Sequence, residues 1–271
     1  MDKPQTSGRE LPRIFWCPSG PFAFLPIHAA GHYGANTAGR KLSDFAISSY
    51  IPTMSALQLS LQEDLEATSS SCNIRLLVVP QPSTDGQGRL TCVPEEMKVI
   101  GELTSSSPFV DLQETSGTVE DVLEKMSMSE WVHFACHATQ DRTNSLNSGL
   151  LLAHKKRLKL SDLIGLSRPR GGLAFLSACQ TAMGDNQLAE EAIHLAAGML
   201  LAGYRGVIAT MWSIMDNDAP RVTEDVYKTL FRDGKVPDSG QAAEALHHAT
   251  ERLQESGVPF LSWVPFIHVG L

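Results

Sequence analysis

Short apolar runs alternate with amphipathic stretches along most of this chain. Residues 74–79 are apolar at every position but one and stop at Pro80, the pattern of a strand covered on both faces. Residues 131–137, 173–179 and 206–211 repeat that design, and shorter apolar runs at 14–17, 45–52, 109–112, 150–152 and 263–270 predict further strands. Between them, apolar positions fall three and four apart. That spacing predicts helices over 54–67, 95–103, 119–126, 187–202, 220–231 and 240–255, with a short one opening at Ser161 and Asp162. Thr118 followed by Glu120 and Asp121 reads as an N-cap with acids in the first turn. Gly203 closes the long apolar helix before it.

Pro18-Ser19-Gly20-Pro21 and residues 169–172 read as turns, and the Gly-rich stretch 31–40 as a loop without the GxGxxG or GxxxxGK[ST] pattern of a phosphate cradle. Strands that alternate with helices predict an α/β fold with a mostly parallel central sheet covered on both faces. No internal repeat interrupts it. The best break, the polar loop over 83–91, reads as a loop within one domain spanning 13–271, after a flexible polar lead over 1–12.

Composition narrows the function classes. The chain has 271 residues, 42% of them hydrophobic and 19% charged, which fits a folded globular domain. Its net charge of −8, from 22 basic and 30 acidic residues, argues against nucleic-acid binding, which needs a basic footprint. No run approaches the roughly 18 apolar residues of a membrane span. Five cysteines, at 17, 72, 92, 136 and 179, form no CxxC pair. A disulfide framework or a zinc ribbon is not expected, and a reducing, cytoplasmic setting is. No metal or other cofactor is expected.

Two of the apolar strands end in chemically useful side chains. Trp131-Val132-His133-Phe134-Ala135-Cys136-His137 ends in a histidine, and Leu173-Ala174-Phe175-Leu176-Ser177-Ala178-Cys179 in a cysteine. Strand ends are where ligands bind in α/β sheets. A thiolate is a nucleophile, and a histidine beside it takes the thiol proton and returns it to the leaving amine. The oxyanion formed on attack needs backbone N–H donors, and the amides of Ala138 and Cys179 are placed to supply them. Cys136 should face the opposite side of its strand, into the core, while His133 shares the face of His137.

These residues carry a resemblance. His133-Phe134-Ala135-Cys136-His137 and Leu176-Ser177-Ala178-Cys179-Gln180-Thr181-Ala182-Met183-Gly184-Asp185 resemble two signature blocks of the CHAT family, caspase- and separase-related cysteine peptidases of clan CD. A third block runs from Glu190 and Glu191 through Ala197-Gly198-Met199 to Thr210-Met211-Trp212, then Asp216 and Asp218, and residues 263–270 resemble the closing strand. Trp16-Cys17-Pro18-Ser19-Gly20, Pro26-Ile27-His28-Ala29-Ala30-Gly31 and Ser48-Ser49-Tyr50 resemble fungal members, in which the domain often ends a tetratricopeptide-repeat protein. Histidine and cysteine stand 42 positions apart here; in caspases the histidine lies about 50 residues upstream.

The resemblance implies a caspase-like three-layer α/β sandwich and a cysteine endopeptidase acting on a protein or peptide substrate in signalling, cell death or immunity. It makes His137 the base and Cys179 the nucleophile, and it implies a regulatory repeat domain in the full-length protein. Arginine-specific relatives carry an acid in the substrate pocket, for which Asp185 and Asp216 are the candidates. The nearer alternatives are a turn for Asp185 and a cap on the following helix for Asp216. Glu190, Glu191 and His194 share one helix face, toward cleft or solvent. Ala138 stands where the family usually has glycine, and its methyl is expected to crowd the substrate or restrict the backbone. That departure motivates an alternative function, an interaction or scaffold domain that keeps the fold without the activity. A doubly wound nucleotide-binding domain is a further reading, against which the missing glycine fingerprint counts.

Overall fold

The computed structural model describes residues 11–34, 40–58, 61, 73–84, 86–139, 141, 143–166, 172–180, 188–232 and 235–271, with backbone alone for 178–180 and 188–194. Ten strands form one sheet among the described residues: β1 (Arg13–Trp16), β2 (Ile47–Tyr50), β3 (Ile74–Pro80), β4 (Val110–Gln113), β5 (Trp131–Thr139), β6 (Gly149–Leu151), β7 (Arg157–Lys159), β8 (Leu173–Gln180), β9 (Gly206–Thr210) and β10 (Phe266–Gly270). Besides the helical residues 54–58 and 61, the α-helices among the described residues are α1 (Val93–Ser105), α2 (Val119–Met128), α3 (Leu160–Ile164), α4 (Leu188–Leu201), α5 (Asp218–Leu230), α6 (Ala242–Glu255) and α7 (Phe260–Trp263).

The sheet order is β1-β2-β10-β9-β8-β5-β3-β4, with the β6–β7 hairpin attached to the end of β5. β4, β3, β5, β8 and β9 run parallel; β10 pairs antiparallel with β9 and carries β2 and β1 parallel to itself. From β3 the chain moves outward to β4, then returns to the other side for β5, β8 and β9. The crevice at that reversal, beyond the carboxyl ends of β3 and β5, is where α/β sheets place their ligands.

Two cores flank the sheet. Val122 and Met126 of α2, Leu163 of α3, and Leu195 and Met199 of α4 cover one face together with Val132, Phe134, Leu176 and Val207. Ile100 of α1, Val222 and Tyr227 of α5, and Leu246 and Leu253 of α6 cover the other, with Leu76, Trp131, Phe175 and Ile208. β5 is buried at every position but its last, which explains why its sequence is apolar rather than alternating. The α/β sandwich with a central, mostly parallel sheet is therefore the architecture of this chain.

Local details depart from the pattern. The apolar stretch after the first turn forms 3-10 helices at Gly20–Phe24 and Ile27–Ala29. β7, spelled Arg-Leu-Lys, carries no apolar run and exists because it pairs with β6. The closing strand starts at Phe266, after α7. The N-cap of α2 is as expected: the Thr118 hydroxyl accepts from the Asp121 amide at 3.3 Å. Of the helix expected over 54–67, residues 54–58 and 61 are helical, and the rest lies outside the described residues.

Candidate active site

β5 and β8 lie side by side, and their register sets His137 against Cys179. Neighbouring strands are about 4.8 Å apart, so the two positions adjoin at the carboxyl edge of the sheet. Along β5 successive residues alternate between faces. Val132, Phe134, Cys136 and Ala138 enter the core under α2–α4, while Trp131 enters the core under α1, α5 and α6. His133 and His137 take this second face.

The imidazole of His137 is buried, with only 2% of the residue exposed. Its Nε2 lies 2.7 Å from the Gly88 carbonyl oxygen. A carbonyl only accepts, so Nε2 carries the hydrogen. In the neutral ring Nδ1 is then a lone-pair acceptor. It is buried and has no hydrogen-bond partner among the described residues. An unmade buried hydrogen bond costs about 1–3 kcal/mol. A lone-pair nitrogen in that state can receive a proton.

Gly88 sits in the loop 81–92 that leaves β3. The Gln81 amide donates to the Ala135 carbonyl of β5 at 2.8 Å, and the Leu90 amide to the Pro82 carbonyl at 2.9 Å. Leu90 packs in a small cluster with Val93 and Ala135. The loop thus folds back along the strand that carries His137. No residue-type signal marks Gly88 in the sequence, because any residue offers a carbonyl.

His133 has a structural environment. Its Nε2 donates to Glu96 Oε1 at 3.1 Å, and its Nδ1 accepts from the Tyr227 hydroxyl at 3.1 Å. Thr223 Oγ1 donates to the same Glu96 oxygen at 2.6 Å. Burial, reinforced by the Glu96 carboxyl, pushes the Tyr227 phenol well above its ordinary range, which keeps its hydroxyl a donor. Burial likewise pushes the Cys136 thiol far up, so that sulfur stays protonated and inert in the core.

Ala138 is 3% exposed and packs in the same core cluster as Cys136, on the face away from His137. The methyl therefore points into the core. The residue lies in register between Gln180 of β8 and Leu150 of β6.

Asp216 follows β9. Its Oδ2 accepts from Thr91 N at 2.6 Å, Thr91 Oγ1 at 2.7 Å and Cys92 N at 3.0 Å. It caps α1, far earlier in the chain, and not α5, whose N-cap Asn217 makes no side-chain capping bond. Asp218, in the first turn of α5, is 5% exposed, and its Oδ2 is buried without a partner among the described residues. Sequence reasoning set this residue in a motif but gave it no role. Asp185 lies outside the described residues, as do the side chains of Glu190, Glu191 and His194. Among the described residues, the donors close enough together to hold a metal ion are His247, His248 and Glu251 on α6, not groups on β5 or β8.

A parallel-centred sandwich with histidine and cysteine paired at adjacent strand ends defines a caspase-like fold. The chain belongs to the CHAT domain family, whose match spans residues 2–271. Among solved structures it is similar to separase in the Saccharomyces cerevisiae separase–securin complex, with a TM-score of 0.56 and 14% identity over 85% of this chain and 14% of that one. It is also similar to the Arg-specific cysteine proteinase gingipain R, at 0.50 and 12% over 83% of this chain and 54% of that one. A complex of the pro- and mature domains of the Porphyromonas gingivalis enzyme gives 0.50 and 10%, over 83% and 55%. At these identities the likeness is one of fold, and the chain spans only part of each of those proteins. A comparison with curated protein sequences gives no match. No helix among the described residues is long and apolar enough to cross a membrane.

Proposed function

We propose that this domain is a cysteine endopeptidase using His137 and Cys179. The observation that carries the reading is the buried Nδ1 of His137, without a hydrogen-bond partner among the described residues, on a residue in register with Cys179. The Cys179 thiol gives its proton to Nδ1, and the thiolate attacks the carbonyl carbon of the scissile bond. The amides of Ala138 and Cys179 hold the oxyanion. His137 then protonates the leaving amine, and water, deprotonated by the same nitrogen, cleaves the thioester.

The acids that a basic substrate side chain would meet are Asp185 and Asp216, with Asp218 added because its buried Oδ2 has no partner among the described residues. One Asp216 oxygen, Oδ1, takes no part in the bonds to Thr91 and Cys92. The substrate is a protein or peptide, in a cytoplasmic signalling or cell-death role, under control of a repeat domain in a longer fungal protein. Protein partners are in keeping with the separase–securin complex among similar folds.

The competing scaffold reading draws on Ala138, whose methyl packs in the core. Cleavage of a mixed peptide library tests the proposal. Cys179→Ala should reduce turnover to background, and a thiol-directed activity probe should label the parent at Cys179. A Cys179→Ala protein that cuts as fast as its parent ends the reading.

A further inference from the structure

Asp216 and His137 stand on separate elements, yet one short segment joins them. The segment 88–92 offers its Gly88 carbonyl to His137 Nε2 at 2.7 Å and its Thr91 and Cys92 amides to Asp216 Oδ2 at 2.6 and 3.0 Å. Thr91 Oγ1 adds a third bond to the same oxygen at 2.7 Å. Next to Asp216, Asn217 Oδ1 accepts from the Cys92 thiol at 3.0 Å. α1 begins at this point, and its own N-cap residue, Cys92, supplies no side-chain capping bond. A carboxylate at a helix N-terminus satisfies orphan amides and complements the helix dipole. The cap of α1 therefore comes from the loop after β9.

We infer that Asp216 is a positioning residue for the proposed base: by clamping Thr91 and Cys92 it holds the Gly88 carbonyl on His137 Nε2. That bond fixes the hydrogen on Nε2 and leaves Nδ1 as the lone pair. Without the clamp, the ties of the segment near Gly88 among the described residues are the Gln87 amide to the Thr84 carbonyl at 3.0 Å, the Leu90 amide to Pro82 and the packing of Leu90 against Val93 and Ala135. None of them bonds the Gly88 carbonyl. An imidazole without that acceptor populates both tautomers, and the one with hydrogen on Nδ1 cannot take a thiol proton. The inference rests on His137 as the base and gives Asp216 a duty separate from binding a basic side chain.

The test pairs a spectroscopic readout with a kinetic one. Nitrogen-15 NMR of the ring should show His137 with hydrogen on Nε2 in the parent, a mixture of tautomers in Asp216→Ala, and a near-parent signal in Asp216→Asn, which keeps the acceptor oxygen. On peptides with arginine or with a neutral residue before the scissile bond, Asp216→Ala should lower kcat by about 10- to 100-fold alike, with KM little changed for the neutral peptide and Asp216→Asn restoring most of the kcat loss. Should Asp216→Ala fail to fold, Thr91→Val, which removes one of the three donors, should give a smaller tautomer mixture in the same direction. An unchanged tautomer signal in the folded variant, or a kcat loss confined to arginine substrates, overturns the inference. A parent that cuts nothing but shows the tautomer change upholds the positioning and fails the peptidase reading on its own.

Discussion

At the scale of single residues, this candidate site sets one nitrogen without a partner among the described residues beside several saturated neighbours. His137 and His133 share a strand face four residues apart, and only their partners separate their duties. His133 has both nitrogens engaged, by Glu96 and Tyr227, while His137 keeps Nδ1 open. The Glu96 carboxyl accepts from two buried groups on different elements, so removing it leaves two buried donors unsatisfied. Glu96→Ala should lower unfolding free energy by about 3 kcal/mol or more, and Tyr227→Phe by about 1 kcal/mol, as read from urea midpoints. The sequence offers His137 and Cys179 as candidates because their residue types declare their chemistry. It does not offer Gly88, whose contribution is a main-chain carbonyl.

At the scale of elements, the hairpin beyond β5 shows how tightly the edge of the site is set. Gly149 pairs with Thr139 on one side and Lys159 on the other, and a Cβ there would stand 2.0 Å from the Leu158 carbonyl oxygen. Backbone meets backbone, so neither side gives way cheaply. Gly149→Ala should cost about 1–3 kcal/mol in denaturant unfolding, and hydrogen exchange should show the loss of protection concentrated in β6 and β7. The apolar runs marked the central strands and the periodic stretches the main helices. β7 escaped notice because pairing, not its polar residues, makes it a strand. α1 starts earlier than its acidic first turn suggests because Asp216 caps it from a distant loop.

At the scale of the whole molecule, acid should undo the fold in two stages. Burial holds the His28 imidazole down from 6.5 to about 4, against the smaller opposing effect of its bond to the Val264 carbonyl. His268 is held well below its usual range, first by burial and then by the Arg13 guanidinium. Both are depressed in the folded state, so the unfolded chain takes up these protons first. Stability is therefore whole above 6.5 and declines as pH falls from there toward 4. Asp121, held down from 3.8 to about 2 foremost by the Thr115 hydroxyl, adds a loss below 3.8. Urea midpoints from pH 8 to pH 3 should show the first decline near neutrality, and His28→Gln should make it shallower. A flat profile between pH 7 and pH 5 would contradict this account.

The sequence by itself determined the alternation of strands and helices, the two-sided burial of the central strands and the presence of a histidine and a cysteine at strand ends. Those features are local: periodicity and apolar content report what a segment can bury, and the hydrophobic effect is non-directional. Only the tertiary structure decided which segments stand side by side. It set β10 antiparallel against β9, turned the Ala138 methyl inward, brought Gly88 to His137 and joined Asp216 to Thr91. Such contacts depend on hydrogen bonds with distance and direction between groups far apart in the chain, and a linear pattern does not carry that information.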